Sequence, residues 1–327
     1  MAILVTGGAG YIGSHMTYAL IDRGEKVVVL DNLTTGVMGL VSPEATFVQA
    51  TIGEPGVADA VLEQYKIDAV IHFAGSVVVP ESVSNPSKYY RNNTAASAAL
   101  IEACVRHGVR NFIFSSTAAV YGVPDRTVVP EDIVTSPINP YGRSKLMTEW
   151  MLKDVAQAHD FGFVALRYFN VAGADPKGRT GQSTPNATHL IKRACQAALG
   201  RHTHLDIFGQ DFDTPDGTGV RDYIHVTDLV SAHLLALDHL RGGGDSNIFN
   251  VGYGQGFSVR QVVAAVEAVT GKPVPVREGP RRAGDPAMLV ADSSRLKDRL
   301  NWKPEHNDLK GIIRTAYEWE RRLNSRA

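Results

Sequence analysis

Two cysteines in 327 residues give too little for a disulfide framework. Cys104 lies in the apolar-periodic run Leu100–Val105 and Cys195 in Arg193–Ala197. Neither has metal-ligand spacing or an obvious partner, so both read as small buried hydrophobes and no metal is expected. An excess of one charge is missing too. The 33 Lys and Arg residues face 34 Asp and Glu, a formal net charge of −1. No global field therefore steers the chain toward nucleic acid or an anionic membrane, neither of which is an expected partner, and any phosphate recognition must be local. Long apolar runs are also absent. The strand-like opening Ala2–Val5 passes straight into glycines, which excludes a signal peptide or spanning helix at that point. The expectation is a soluble cytoplasmic protein, with no repeat or low-complexity tract.

What is present is a regular alternation. Short β-branched runs at Ile3–Thr6, Lys26–Leu30, Thr46–Gln49, Ala69–Phe73, Asn111–Ser115 and Phe163–Arg167 predict strands. Helical patterns at Gly13–Arg23, Val57–Tyr65, Asn92–His107 and Tyr141–His159 fall between them. Apolar strand centres in such alternation indicate an α/β fold, a Rossmann-like doubly wound parallel sheet covered on both faces. The pattern weakens after Asn170, where Ala174–Pro185 reads as a loop into a second, smaller α/β lobe. There we expect a helix at Ala187–Leu199, a strand at Leu205–Phe208, a helix at Ser258–Thr270 and a terminal helix at Leu309–Arg322. Ser258 is a plausible N-cap and Gly271 a plausible C′ residue. The division is residues 1–170 as a dinucleotide-binding domain and 171–327 as the smaller lobe. Asp222–His239 and the strand Ile248–Val251 are read as returning to the first sheet.

Three clusters carry chemistry. In Val5–Gly13 a strand ends and a helix begins, and Gly7, Gly10 and Gly13 permit a tight turn and close backbone approach to a pyrophosphate. Asp31 closes the next strand, where a carboxylate accepts hydrogen bonds from ribose hydroxyls and repels a 2′-phosphate, favouring NAD over NADP. Tyr141 and Lys145 stand four residues apart, on one face of a helix. A phenol has an unperturbed pKa near 10. A nearby ammonium and an oxidised nicotinamide would both lower it and make Tyr141 a usable proton acceptor. Finally, Phe114–Gly122 ends a strand with hydroxyl side chains, and Thr117 could hydrogen-bond a substrate hydroxyl and pass a proton to Tyr141. Each motif alone also fits a bland reading: a structural turn, a solvated helix face, strand-end hydroxyls capping the backbone. Their order along one chain is far more specific.

With these residues in place, the sequence resembles the extended short-chain dehydrogenase/reductase superfamily, and within it the UDP-glucose 4-epimerases. The resemblance is carried by Gly7–His15, Asp31–Leu33, Ile71–Gly75, Asn111–Ser116, Leu166–Asn170, Asp216–Val226 and Pro280–Asp285, and runs over essentially the whole chain. It implies a cofactor shell of Tyr11, Ile12, Asp31, Asn32, Phe73, Ala74, Gly75, Asn92, Lys145 and Phe169. It further implies a uridine diphosphate site, making the smaller lobe the UDP-sugar-binding one. That site comprises Asn170, Leu190, Asp206, Ile207, Phe208, Arg221 and Arg282–Asp285, with Arg221 and Arg282 able to clamp a diphosphate. The implied activity is NAD-dependent, reversible 4-epimerisation of UDP-glucose and UDP-galactose through a transient 4-keto sugar. Tyr141 is the base, Thr117 assists it and Lys145 holds the nicotinamide ribose. A homodimer through Asn92–His107 and Tyr141–His159 is implied as well.

The sequence departs from that family at four positions. Thr51 stands where many members have Asp, and Val77 where many have Lys, which implies weaker NAD retention. His189 replaces a common Asn near the sugar nucleotide. Leu289 replaces a bulky Tyr of some bacterial members, which opens a UDP-N-acetylglucosamine/UDP-N-acetylgalactosamine 4-epimerase or a dual-specificity enzyme as alternatives. A sugar-nucleotide 4,6-dehydratase is a poorer fit, because related dehydratases carry an Asp-Glu pair where this chain has Ala118-Ala119. A non-catalytic NAD-sensing protein could discard Tyr141 or Lys145, and this chain keeps both.

Overall fold

The apolar runs become strands because their side chains find cover on both faces. Leu4, Val5, Val70, Ile71, Phe112 and Ile113 are all fully buried. Burying one such side chain contributes about 1.5–3 kcal/mol. The computed structural model describes residues 1–185, 187–282 and 284–325. A seven-stranded sheet contains β1 (Ala2–Thr6), β2 (Val27–Asp31), β3 (Thr46–Gln49), β4 (Ile67–His72), β5 (Asn111–Thr117), β7 (Gly162–Tyr168) and β11 (Asn247–Val251). Their spatial order is β11-β7-β5-β4-β1-β2-β3, and the pairings from β3 through β5 are parallel. Helices α1 (Tyr11–Asp22), α2 (Val57–Tyr65), α5 (Ala96–Arg106) and α6 (Pro140–Ala158) follow their strands. The short α3 (Val79–Ser84) and α4 (Pro86–Tyr89) precede α5. Strand order reverses at β1, which has β2 on one side and β4 on the other, and this switch point is where ligands bind in such sheets.

The chain divides into two units. The first comprises Met1–Gly122, Val134–Arg167 and Val230–Phe249; the second comprises Val123–Ile133, Tyr168–Leu229 and Asn250–Ala327. Within the second, α7 (Leu190–Ala198), α9 (Val259–Thr270) and α11 (Leu309–Ser325) pack a core that includes Ile191, Cys195, Val262, Val266 and Ile313. A five-stranded sheet holds β6 (Val128–Val129), β8 (Asn170–Ala172), β10 (Val220–His225), β12 (Gly256–Ser258) and β14 (Met288–Ala291). The strands β9 (Leu205–Phe208) and β13 (Val276–Gly279) form a separate parallel pair. The helices α8 (Val226–Arg241) and α10 (Ser294–Leu300) complete the chain. No helix among the described residues is long and apolar enough to cross a membrane.

Several boundaries correct the expectations from sequence. Asp222–His239 is not one returning segment: its first residues belong to β10, in the five-stranded sheet, and the helix starts only at Val226. The strand expected at Ile248–Val251 does take an edge of the seven-stranded sheet. The helix expected from Ala187 starts at Leu190. Asn92–His107 is two elements, a π-helix at Tyr90–Ala95 running into α5. Ser258 caps α9 in a reciprocal capping box with Gln261, and Gly271 ends it at φ +65°.

Candidate active site

The β1–α1 turn is built by glycine sterics. Gly7 has φ +70°, and a Cβ there would lie 2.7 Å from the Ala74 nitrogen. A Cβ on Gly13 would lie 2.2 Å from the Gly7 carbonyl oxygen. The turn thus packs on itself and on the loop after β4, which brings Gly7–Gly13 and Phe73–Gly75 together at the switch point. Gly10 is the N-cap of α1 without a side-chain hydrogen bond, and Tyr11 and Ile12 form its first turn. Glycine backbone leading into a helix N-terminus is the arrangement that cradles a pyrophosphate. Asp31 Oδ2 accepts from the Ala9 N–H at 3.0 Å and Oδ1 from the Leu33 N–H at 2.8 Å. Burial raises its pKa and the two backbone N–H groups draw it back. A carboxylate has about four acceptor sites, so two remain for ribose hydroxyls. These residues fit an adenine dinucleotide.

Asn32 donates from Nδ2 to Thr51 Oγ1 at 3.4 Å, so the residue at the departed Asp position touches an expected cofactor residue. Val77, the departed Lys position, is 53% exposed and supplies no charge. Phe73 packs its ring 4.9 Å from that of His233.

The catalytic candidates converge at the end of β5. Asn139 accepts from the Gly142 N–H at 2.8 Å and Pro140 occupies the first helical position, so α6 starts here and Tyr141 sits in its first turn. A Cβ on Gly142 would lie 2.6 Å from the Ala119 carbonyl oxygen. Glycine therefore lets the start of α6 approach the turn after Thr117. Thr117 hydrogen-bonds Tyr141. Burial raises the Tyr141 pKa and that bond lowers it. In the chain by itself burial dominates, so the depression expected from sequence needs the positive charge of a bound cofactor. Lys145, 3% exposed, donates to the Ser115 carbonyl at 2.9 Å and lies 4.9 Å from the Phe114 ring centroid. Burial pushes its pKa down to about 8.

Behind these groups lies a network that the sequence reading missed. Asn93, in the π-helix, accepts from the Ser76 N–H at 2.7 Å and donates to the Ser76 carbonyl and to Ser144 Oγ, both at 3.0 Å. Ser144 Oγ donates to the Tyr141 carbonyl at 2.8 Å. Expected cofactor residue Asn92 donates to Ser76 Oγ at 2.9 Å. A Cβ on Gly75 would lie 3.1 Å from Asn93 Oδ1 and 3.7 Å from Lys145 Nζ. The π-helix offsets Asn92 and Asn93 by about one residue from α-helical register, and such bulges gather at functional sites. No period in the sequence announces it.

The expected uridine diphosphate residues lie in the second unit, as does Phe169. Asn170 opens β8 and donates to the Asp222 carbonyl at 3.3 Å. Arg221, on β10, meets Asp285 at 3.2 Å and the Val220 carbonyl at 2.8 Å. Arg282 places its guanidinium carbon 3.9 Å from the Phe208 ring centroid. Asp206 is ion-paired with Arg277 at 2.7 Å. Ile207, on β9, is buried. His189, the N-cap of α7, lies 3.3 Å from Gln182 through Nδ1, and Leu190 begins the helix. Leu289 is buried on β14, opposite Arg221 in the parallel register. Ala283, inside the expected Arg282–Asp285 turn, lies outside the described residues.

Residues 3–252 match the model of the NAD dependent epimerase/dehydratase family. The chain belongs to that family. A UDP-glucose 4-epimerase from Azospirillum brasilense is 57% identical over 98% of this chain and 92% of that protein. Among solved structures, a UDP-glucose 4-epimerase from Brucella ovis in complex with NAD superposes with a TM-score of 0.94 at 47% identity, covering 97% of each chain. The UDP-Glc/GlcNAc 4-epimerase from Campylobacter jejuni superposes with a TM-score of 0.86 at 47% identity, covering 98% of this chain and 99% of that one. Family membership makes the chain NAD-dependent, which agrees with the glycine turn and Asp31.

Proposed function

We propose that this protein interconverts UDP-glucose and UDP-galactose by NAD-dependent 4-epimerisation. The observation that carries the proposal is the Thr117–Tyr141 hydrogen bond beside Lys145, set at the ligand-binding edge of the sheet. NAD, when bound, would supply the hydride-transfer chemistry at C4 of the sugar. Gly7–Gly13, Asp31, Asn32, Phe73–Gly75 and Asn92 would hold it. Tyr141 takes the proton of the sugar 4-hydroxyl. Thr117 would donate to the phenolate oxygen, and Lys145 would stabilise the phenolate and hold the nicotinamide ribose. Arg221 and Arg282 would hold the diphosphate. Arg221 now meets Asp285 and Arg282 stacks on the Phe208 ring.

Elimination at C5 and C6 needs an acid and a base after the strand-end Thr, and Ala118 and Ala119 supply neither. A dual specificity that includes N-acetylated sugars is supported by Leu289 and by the dual substrate in the name of the Campylobacter relative. We also assign a homodimer through the exposed faces of α5 and α6, where Trp150 is 53% exposed. Two buried free cysteines suit a reducing cytoplasm.

The test is conversion of UDP-galactose to UDP-glucose by purified protein without added NAD. Turnover is expected, and Tyr141→Phe should reduce it by on the order of a hundred- to ten-thousandfold while leaving nucleotide binding in place. A Tyr141→Phe protein with a tenth of native activity would mean another residue is the base.

A further inference from the structure

The face of α6 that carries Tyr141 and Lys145 continues one turn further to Glu149. Its side chain is 1% exposed, and that of its partner Arg167, on β7, is 4% exposed. The pair is forked: Arg167 Nη2 donates to Oε2 at 2.6 Å and Nε to Oε1 at 2.9 Å. Ser116 Oγ also donates to Oε1, at 2.5 Å. The remaining arm of Arg167 donates to the Tyr121 hydroxyl at 3.0 Å, with the guanidinium carbon 5.0 Å from the Tyr121 ring centroid.

Those partners bracket the catalytic strand end. Ser116 lies between Ser115, whose carbonyl holds Lys145, and Thr117, which bonds Tyr141. Tyr121 closes the turn that follows. One carboxylate thus joins α6, β5 and β7. Stability is a weak explanation for it, because replacing a buried ion pair with apolar residues of similar volume is often neutral or favourable.

We propose that Glu149, with Arg167 and Ser116, is a positioning unit that fixes α6 against the end of β5. It thereby holds Tyr141 on Thr117 and Lys145 on the Ser115 carbonyl. Glu149 touches neither reacting atom and acts only through these contacts. The proposal rests on the reading of Tyr141 as the base.

The test compares Glu149→Gln with the apolar double variant Glu149→Leu/Arg167→Met. Displacement of a reacting group by about 1 Å costs on the order of a hundredfold, so kcat should fall ten- to a hundredfold in both. KM for UDP-galactose should stay within about twofold, because the loss lies in the chemical step. The double variant should melt within about 3 °C of native, which separates positioning from folding. A spectroscopic readout needs no substrate: phenolate absorbance of each protein is taken against its Tyr141→Phe counterpart. The Tyr141 midpoint should rise as the Thr117 bond is lost. Native kcat and an unmoved midpoint in the double variant would overturn the proposal. Failure of that variant to fold would assign the pair to stability and overturn it equally. Should native protein lack epimerase activity, the functional reading fails, while the Tyr141 midpoint still decides whether Glu149 positions it.

Discussion

His72 shows how far one buried side chain can organise a site. Its Nδ1 lies 2.6 Å from Thr6 Oγ1 and its Nε2 2.8 Å from Ser97 Oγ. Ser97 donates its hydroxyl hydrogen to the Asn93 carbonyl, so Nε2 must be the donor toward Ser97 and Nδ1 must accept from Thr6. The neutral tautomer is thereby set by its neighbours. Burial, with a smaller contribution from the charge of Lys145, pushes the His72 pKa down to about 3. In the unfolded chain it titrates near 6.5. Between those values the unfolded chain binds more protons, so stability rises with pH and is lost as pH falls below about 6.5. Chemical denaturation at pH 7.5 and 5.0 should show a loss of at least about 1 kcal/mol on acidification that is smaller in His72→Gln. An equal loss in both proteins would place the acid sensitivity elsewhere. The partners are 66 and 25 residues away in sequence, which is why no local pattern reveals them. Tyr141 and Lys145 are legible because helical period alone joins them.

Leu289 is a second single-residue case. A tyrosine there would overpack a buried position at a cost of about 1–3 kcal/mol, so absolute rates are a poor measure and the ratio between sugars is the right one. The native protein should epimerise UDP-N-acetylglucosamine as well as UDP-glucose. Leu289→Tyr should lower the kcat/KM ratio of acetylated to plain sugar by about tenfold or more, as steric rejection in a pocket does. Equal ratios in the two proteins would show that this residue is not the gate.

At the scale of elements, short β-branched runs bounded by turn residues are legible even where their burial is partial. Thr46–Gln49 and Leu205–Phe208 fall where composition puts them. β10 was hidden because Asp222 interrupts its apolar run while being fully buried. Its carboxylate accepts from the N–H groups of Tyr253, Gly254 and Ala291, a long-range set that satisfies the charge. The β1–α1 turn was readable because its constraint is local and steric. Gly13→Ala should therefore strip cofactor: its Cβ cannot coexist with the Gly7 carbonyl, and the turn must open. NAD released on denaturation should drop below about a tenth of native content, since an overpacked turn loses the close approach a pyrophosphate needs. Gly39→Ala, where a Cβ meets nothing within 4 Å, should leave it unchanged. Undiminished NAD in Gly13→Ala would break the link between this turn and the cofactor.

For the molecule as a whole, a near-zero net charge leaves association to local surfaces. Most of the large apolar side chains are inside, which makes the half-exposed Trp150 informative. It projects from α6, the helix that carries Tyr141 and Lys145 on its buried side, so a partner covering Trp150 would also brace that helix. A tryptophan buried at the centre of an interface typically contributes 2 kcal/mol or more, about thirtyfold in dissociation constant. Sedimentation velocity at micromolar concentration should show native protein as a dimer. Trp150→Glu should shift it toward monomer by at least that factor, because an unpaired carboxylate would be buried in the interface. Retained far-ultraviolet dichroism would show that the fold survives. Its turnover should then fall with the dimer fraction, since the brace on α6 is lost with the partner. A native protein that sediments as a monomer at every concentration, or a Trp150→Glu dimer as tight as native, would place no interface on this face.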